Sequence, residues 1–356
     1  MLVVRLGALG DILRTLPAVR LLRRGLPRAR ILWVVDPPWR VVLEGHADLD
    51  VVLPLPRDRW QALLGRPTDW TRLVRAVGDF RRMLRAERAA IALDFHGNLR
   101  SGLVAWLSGA RVRVGYSGHQ QKEGNRWLTT HRRPSASRRT SRVERNLDLL
   151  RALGLPAEPL LPCDLPLVAA GRAAAARLVH ATGVSPATYA VVNPGASAAQ
   201  SYKKPPPPLL AAACVRLLRS GIVPLVVWGP GEQADADAVA RAAADAAVVA
   251  PATDLATLAG LLAGARLFVG GDSGPLHLAC ATGCPVLAIY GPTDPEVNRP
   301  WGVPHRVVHP SGNAYSGVKR RDRRLGFAGL DTEAVESAVD ALAGETADRG
   351  SARGRG

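Results

Sequence analysis

Apolar residues along this chain recur at two alternating spacings. Leu2 to Leu6 form a short apolar run suited to one buried strand, a glycine-bearing turn follows, and from about Ile12 to Arg24 apolar positions return at helical spacing. Further strand-like runs lie at Ile31 to Val35, near Val51 to Leu53 and at Ile91 to Phe95, with a helical stretch ending near Arg85 and another around Arg142 to Leu153. Strands alternating with helices predict a parallel sheet wrapped on both faces. Residues 118–140, rich in Arg, Ser, Gln and Asn, have little apolar periodicity and are expected to form an exposed loop. Four prolines between Leu155 and Pro166 lack amide donors and restrict the residues before them, so this stretch reads as the connection between two halves.

Beyond it an Ala-rich helix at 168–181 precedes a second alternation. Its strands are Tyr189 to Val192, Val223 to Val227, Ala247 to Val249, Leu267 to Val269 and Val286 to Ile289. Its helices start near Leu209 and run over Ala234 to Ala244, Leu255 to Leu262 and Pro275 to Ala281. The expected fold class is α/β, with two doubly wound parallel-sheet domains at 1–160 and 167–343. The tail at 344–356 has no periodicity and is expected to be disordered.

A chain of 356 residues, 47% hydrophobic, suffices for two domains with a core each. Cys163, Cys214, Cys280 and Cys284 show no paired CxxC spacing, which argues against a zinc site or disulfide framework and for a reduced cytosolic compartment. No signal peptide and no run of about 18 apolar residues is present, so a soluble or peripheral protein is expected. The net charge of +17 is lopsided: residues 1–150 hold 28 Lys and Arg against 13 Asp and Glu, while the rest is nearly balanced. Such a field attracts polyanions, whether nucleic acid, anionic lipid or phosphorylated glycan. A general compositional preference for Arg, Ala and Leu accounts for it equally well.

Candidate chemistry sits at strand ends. Gly7-Ala-Leu-Gly10-Asp11 joins the first strand to its helix, and ligands of open α/β sheets gather at the carboxyl ends of strands, so Asp11 is expected to project into a crevice. The glycine offsets are not those of the dinucleotide fingerprint. A helix cap is the other reading of Asp11. Asn193-Pro-Gly-Ala-Ser197, followed by Lys203 and Lys204, offers turn N–H groups and a point charge to a phosphate, although both lysines also suit a plain surface. Gly270-Gly-Asp272-Ser273-Gly274-Pro275-Leu-His277 ends a strand and opens a helix, where the N–H groups of Ser273 and Gly274 would meet a pyrophosphate. Simple capping by Asp272 and Ser273, and an interior role for His277, are the alternatives. Glu232, in Trp228-Gly-Pro-Gly-Glu232, would accept from ribose hydroxyls or merely close a turn. Cys280 and Cys284 read as small core residues.

Taken in order, these motifs resemble the heptosyltransferase family, glycosyltransferase family 9, which builds the inner core of lipopolysaccharide. The resemblance runs from Leu2 to about Asp294. It rests on the stretch Val4 to Pro17, Asp94-Phe-His-Gly-Asn-Leu-Arg-Ser101, Val143-Glu-Arg-Asn-Leu147, Asn193 to Ser197, and Gly271 to His277 with Tyr290-Gly-Pro-Thr-Asp294. It implies a GT-B fold, two Rossmann-like domains facing a cleft, with the acceptor on the first and the nucleotide sugar mainly on the second. It implies an inverting, metal-independent transfer with no cofactor, from a nucleotide donor expected to be ADP-heptose to a phosphorylated glycan or glycolipid. By position, Asp11 is expected as catalytic base and Lys203 as the lysine neutralising the donor phosphate. Glu232 is expected at the nucleoside, while Asp272, Ser273, Gly274 and His277 hold the donor. Ser197 is a further phosphate contact, and Gly10 and Arg100 lie on the acceptor side.

Two departures stand out. Lys204 and four prolines replace the Arg or His, Trp and Pro that usually follow the lysine, and Arg142 replaces the usual His before Val143. The implied location is cytoplasmic, at the inner face of the plasma membrane. Nucleic acid is not expected as a partner, since no aromatic-interleaved basic stripe appears. A GT-B-like sugar-nucleotide epimerase, which needs no acceptor, and a non-catalytic polyanion-binding protein are the other readings.

Overall fold

The apolar runs of the N-terminal half become the strands of one parallel sheet in a computed structural model. They are β1 (Leu2–Val4), β2 (Leu32–Val35), β3 (Val51–Pro54), β4 (Ile91–Asp94), β5 (Val112–Tyr116) and β6 (His131–Arg133), ordered β3-β2-β1-β4-β5-β6. Leu2 pairs with Leu32 on one side and Ala92 on the other, so β1 is an inner strand, and its residues are buried on both faces, as its apolar run requires. The helices are α1 (Leu9–Leu13), α2 (Leu16–Gly25), α3 (Arg40–Leu43), α4 (Arg57–Leu64), α5 (Trp70–Ala86), α6 (Leu99–Leu107) and α7 (Arg142–Arg151). Phe80 and Leu84 of α5 and Val104, Ala105 and Leu107 of α6 close one core over Leu2, Val4 and Leu6.

The C-terminal half repeats the plan with β7 (Tyr189–Asn193), β8 (Val223–Val226), β9 (Val248–Val249), β10 (Phe268–Gly271), β11 (Val286–Ile289) and β12 (His305–Val308), ordered β12-β11-β10-β7-β8-β9. Its helices are α8 (Pro166–Ala181), α9 (Pro207–Arg219), α10 (Gln233–Ala242), α11 (Leu255–Gly264), α12 (Gly274–Ala281), α13 (Pro295–Asn298) and α14 (Thr332–Glu345). The chain divides into two compact units, Met1–Leu161 and Pro162–Gly356. The structure describes residues 1–65, 67–134, 137–155, 163–185, 188–310 and 326–347.

Several expectations need correction. The single helix from about Ile12 to Arg24 is two, α1 and α2, because Pro17 has no N–H to continue the ladder back to Leu13. Pro166 opens α8 at its first position, where a missing N–H costs nothing, while residues 156–162 of the proline-rich connection lie outside the described residues. The stretch 118–140 is not a free loop: it contains β6, and Asn125 within it is fully buried. At the tail, α14 extends to Glu345 and Thr346 is buried, its hydroxyl donating to Leu342 O at 2.8 Å; residues 348–356 lie outside the described residues. All four cysteines are buried. No helix among the described residues is long and apolar enough to cross a membrane.

Candidate active site

Each sheet reverses its winding at one point, between β1 and β4 in the first unit and between β7 and β10 in the second. At such a switch point the crossover helices diverge and leave a crevice beyond the carboxyl strand ends. The strongest candidate residues fall there. Asp11 stands in the first turn of α1, after β1, and is not the cap, since Ala8 holds that position. Its carboxylate meets three guanidiniums: Arg14 at 2.8 Å, Arg142 at 3.2 Å, and Arg5, whose other terminal nitrogen donates to Phe95 O. Burial alone would raise the Asp11 carboxyl, but Arg5, Arg14 and Arg142 reverse that and hold it far below the usual carboxylate range.

Across the switch point, β4 delivers Asp94 and His96. Asp94 is fully buried, and its carboxylate accepts from the backbone of His96 and Gly97, from Ser101 Oγ at 2.9 Å and from Asn125 Nδ2 at 2.7 Å. That cage fixes the turn leading into α6, whose capping box is Asn98 with Ser101. Gly97 is required there, because its φ is +80° and a Cβ would stand 2.8 Å from Gln120 O. His96 is lowered to about 3, first by burial and then by Arg5, Arg100 and Lys122 against the pull of Asp11, so its imidazole is neutral. Gly10 is buried, its carbonyl accepting from Arg14 Nε, and Arg100 leans toward Asp36 at 3.9 Å. Asn146 of α7 explains the Val143-Glu-Arg-Asn motif: it donates to Arg14 O, accepts from Tyr116 and so locks the helix bearing Arg142 against α1 and α2. The roles of Arg5, His96 and Asn146 were not drawn from the sequence, although a charged residue inside an apolar strand run was a signal for Arg5.

In the second unit Lys203, Asp272 and His277 come together. Lys203 Nζ lies 3.0 Å from Asp272 Oδ2, and His277 Nε2 lies 3.6 Å from Oδ1, all three side chains being nearly buried. Gly271 makes this possible, since a Cβ there would stand 2.8 Å from Lys203 O. Lys204 instead pairs with Asp235 of α10 at 2.5 Å, so of the two lysines Lys203 faces the strand-end cluster. Glu232 folds against the turn after β7: its carboxylate accepts from Gly229 N, and a Cβ on Gly195 would collide with it at 2.0 Å. Ser197 is exposed at the start of a 3-10 turn. Ser273 caps α12 by position, without a side-chain bond, and its backbone N–H donates to Gly271 O at 2.8 Å. The expectation of an open Ser273 N–H is therefore corrected, and since Pro275 has no N–H, Gly274 and Leu276 carry the remaining amide donors of the first turn of α12.

The profile of Glycosyltransferase family 9 (heptosyltransferase) matches residues 77–326. Lipopolysaccharide heptosyltransferase 1 of Escherichia coli is 28% identical over 298 residues, covering 83% of this chain and 88% of its own. The Pseudomonas aeruginosa protein of the same name is 28% identical over 315 residues, covering 85% and 81%. Among solved structures, a family 9 glycosyl transferase from Veillonella parvula superposes with a TM-score of 0.76 at 21% identity over 97% of both chains. The E. coli heptosyltransferase WaaC with ADP gives 0.72 at 23% identity over 96% of this chain and 99% of its own. These likenesses establish the two-sheet GT-B fold class.

Proposed function

We propose, since this chain belongs to glycosyltransferase family 9, the heptosyltransferase family, that it moves a heptose from ADP-heptose to a phosphorylated lipopolysaccharide-core glycolipid. The transfer inverts the anomeric centre, needs no metal, and takes place at the inner face of a membrane. One observation carries most weight: the first switch point holds an acid, Asp11, ringed by guanidiniums, and the second holds a lysine beside a helix N-terminus.

Arginine forks suit acceptor phosphates, and Asp11 takes the proton of the attacking hydroxyl as that oxygen bonds the anomeric carbon. The bond from that carbon to the diphosphate breaks in the same step. Lys203 and the N–H groups opening α12 receive the negative charge of departing ADP, with Ser197 a second phosphate contact and Glu232 at the nucleoside. Asp272 and His277 position Lys203. One carboxylate suits inversion, because retention would call for a second one able to act, and Asp94, the other acid at that switch point, is fully buried and engaged by four donors. A carboxylate held by three arginines is a weak base, and Arg142, half-exposed, is the one that an acceptor phosphate draws away, which raises the basicity of Asp11 in part while Arg5 and Arg14 stay in place.

The test is transfer by the purified protein from ADP-heptose to the glycolipid acceptor in the presence of EDTA, with the anomer read by NMR. The expected product is the inverted glycoside. Calorimetry should show ADP binding with UDP and GDP silent. Asp11→Ala should keep ADP affinity within a few fold while turnover falls by several orders of magnitude. Isomerised donor without acceptor would replace this reading with the epimerase, and unaltered turnover in Asp11→Ala would remove the base.

A further inference from the structure

We propose that the outward face of α6, together with Trp127, is the surface on which this protein rests on an anionic lipid bilayer. The inward positions of α6 are buried: Ser101, Gly102, Val104, Ala105 and Leu107. The outward positions, spaced by four and then three residues, are Leu99, Leu103 and Trp106, exposed by 43%, 40% and 48%. A surface helix ordinarily presents charge on that stripe. Here the three most exposed residues of the helix are large and apolar, with the half-exposed Arg100 on their flank, and the next outward position, Gly109, lies beside the Arg85 side chain.

A second element packed on α6 adds an exposed aromatic. The 3-10 turn Asn125–Trp127 packs on the opening half of α6, where a Cβ at Gly102 would meet Asn125 Nδ2 at 2.7 Å and Leu128 at 2.9 Å. Trp127 stands 74% exposed there, with the Arg126 guanidinium 4.8 Å over its ring. Between residues 95 and 140 the chain carries nine Lys and Arg against one acid, Glu123, and Arg111, Lys122, Arg126, Arg132 and Arg133 are exposed.

Charge decides the occupant. Tryptophan and leucine set among guanidiniums match the boundary between acyl chains and anionic headgroups, whereas the core of a protein interface is depleted of charge. Such an apolar row gives depth of insertion, and the arginines give attraction to the headgroups. The helix is also capped by Asn98, two residues after His96, so the membrane face begins beside the Asp11 site. That last link rests on the transfer reading, since it brings a lipid-held acceptor to its base; the docking itself does not.

The test is co-sedimentation of the full chain with sucrose-loaded vesicles of phosphatidylethanolamine and phosphatidylglycerol, free of sugar acceptor and donor. Partitioning should exceed that on pure phosphatidylcholine by roughly tenfold or more, and the triple change Leu103→Ser, Trp106→Ser, Trp127→Ser should lower it by a similar factor. Replacing both tryptophans by Phe should retain most of the binding. ADP binding by the serine variant, measured calorimetrically, should match wild type, which shows that the fold is intact and keeps failure of docking separate from failure of the donor site. Equal partitioning of wild type and serine variant would overturn the proposal. So would a concentration-dependent dimer that the serine variant dissolves, which would assign the face to a second copy.

Discussion

His96 is neutral because its ring is buried among guanidiniums, and that has a measurable cost in acid. An unfolded histidine binds a proton below about pH 6.5, whereas folded His96 does so only near 3. Between those values the unfolded chain holds the extra proton, so stability falls as pH falls, with a limiting slope of roughly 1.4 kcal/mol per pH unit. Asp11 acts in a lower window. Its folded pKa is depressed, so its contribution is present above about pH 4 and lost as pH falls through the folded value. Urea midpoints of wild type and His96→Gln at pH 6.5 and 4.5 therefore separate the two: the variant should lose visibly less stability over that interval. Parallel losses would mean that folded His96 is protonated. In the second unit, Lys203→Met should weaken ADP binding about 10- to 100-fold, the range for a charge-assisted hydrogen bond. Lys204→Met, which only releases Asp235, should leave it within a few fold in the same calorimetric titration.

Helices α8 and α11 meet glycine to glycine. A Cβ on Gly171 would fall 1.7 Å from Ala256 O, and one on Gly260 would fall 2.7 Å from Gly171 O, so neither helix tolerates a methyl without separating. Gly171→Ala should lower unfolding stability by about 1–3 kcal/mol in denaturant titration while ADP affinity, measured on the folded fraction, holds. An unchanged midpoint would show that the pair is not tightly packed. No spacing rule announces this contact, because it depends on which helices become neighbours. Strands were legible or not for a related reason. β1, β2, β7, β10 and β11 are buried on both faces and read as plain apolar runs, whereas the edge strands β6 (His-Arg-Arg) and β12 (His-Arg-Val-Val) carry the charge that edges favour. α6 hid for the opposite reason: its outward stripe is apolar, so no amphipathic period marked it.

At the scale of the whole chain, what could be read of the candidate sites was local. Asp11, Lys203 and Asp272 could be located because each follows a strand end, while the guanidinium of Arg142 reaches Asp11 from 131 residues along the chain and had no local signature. The charge asymmetry was legible in full and separates the two substrates. Residues 1–150 carry a net +15 and the remainder only +2, so long-range attraction belongs almost wholly to the unit holding Asp11. Exposed arginines are screened as the Debye length contracts from about 10 Å at 0.1 M salt to about 3 Å at 1 M. The nearly buried Lys203 is screened far less. Raising NaCl over that range should therefore increase the KM for the phosphorylated acceptor steeply, while the Kd for ADP moves by a smaller factor. Removing the acceptor phosphates should flatten the salt dependence of its KM and leave the ADP curve where it was. If acceptor KM and ADP Kd instead rise together, the arginine excess does not select the acceptor, and the charge of the first unit is compositional.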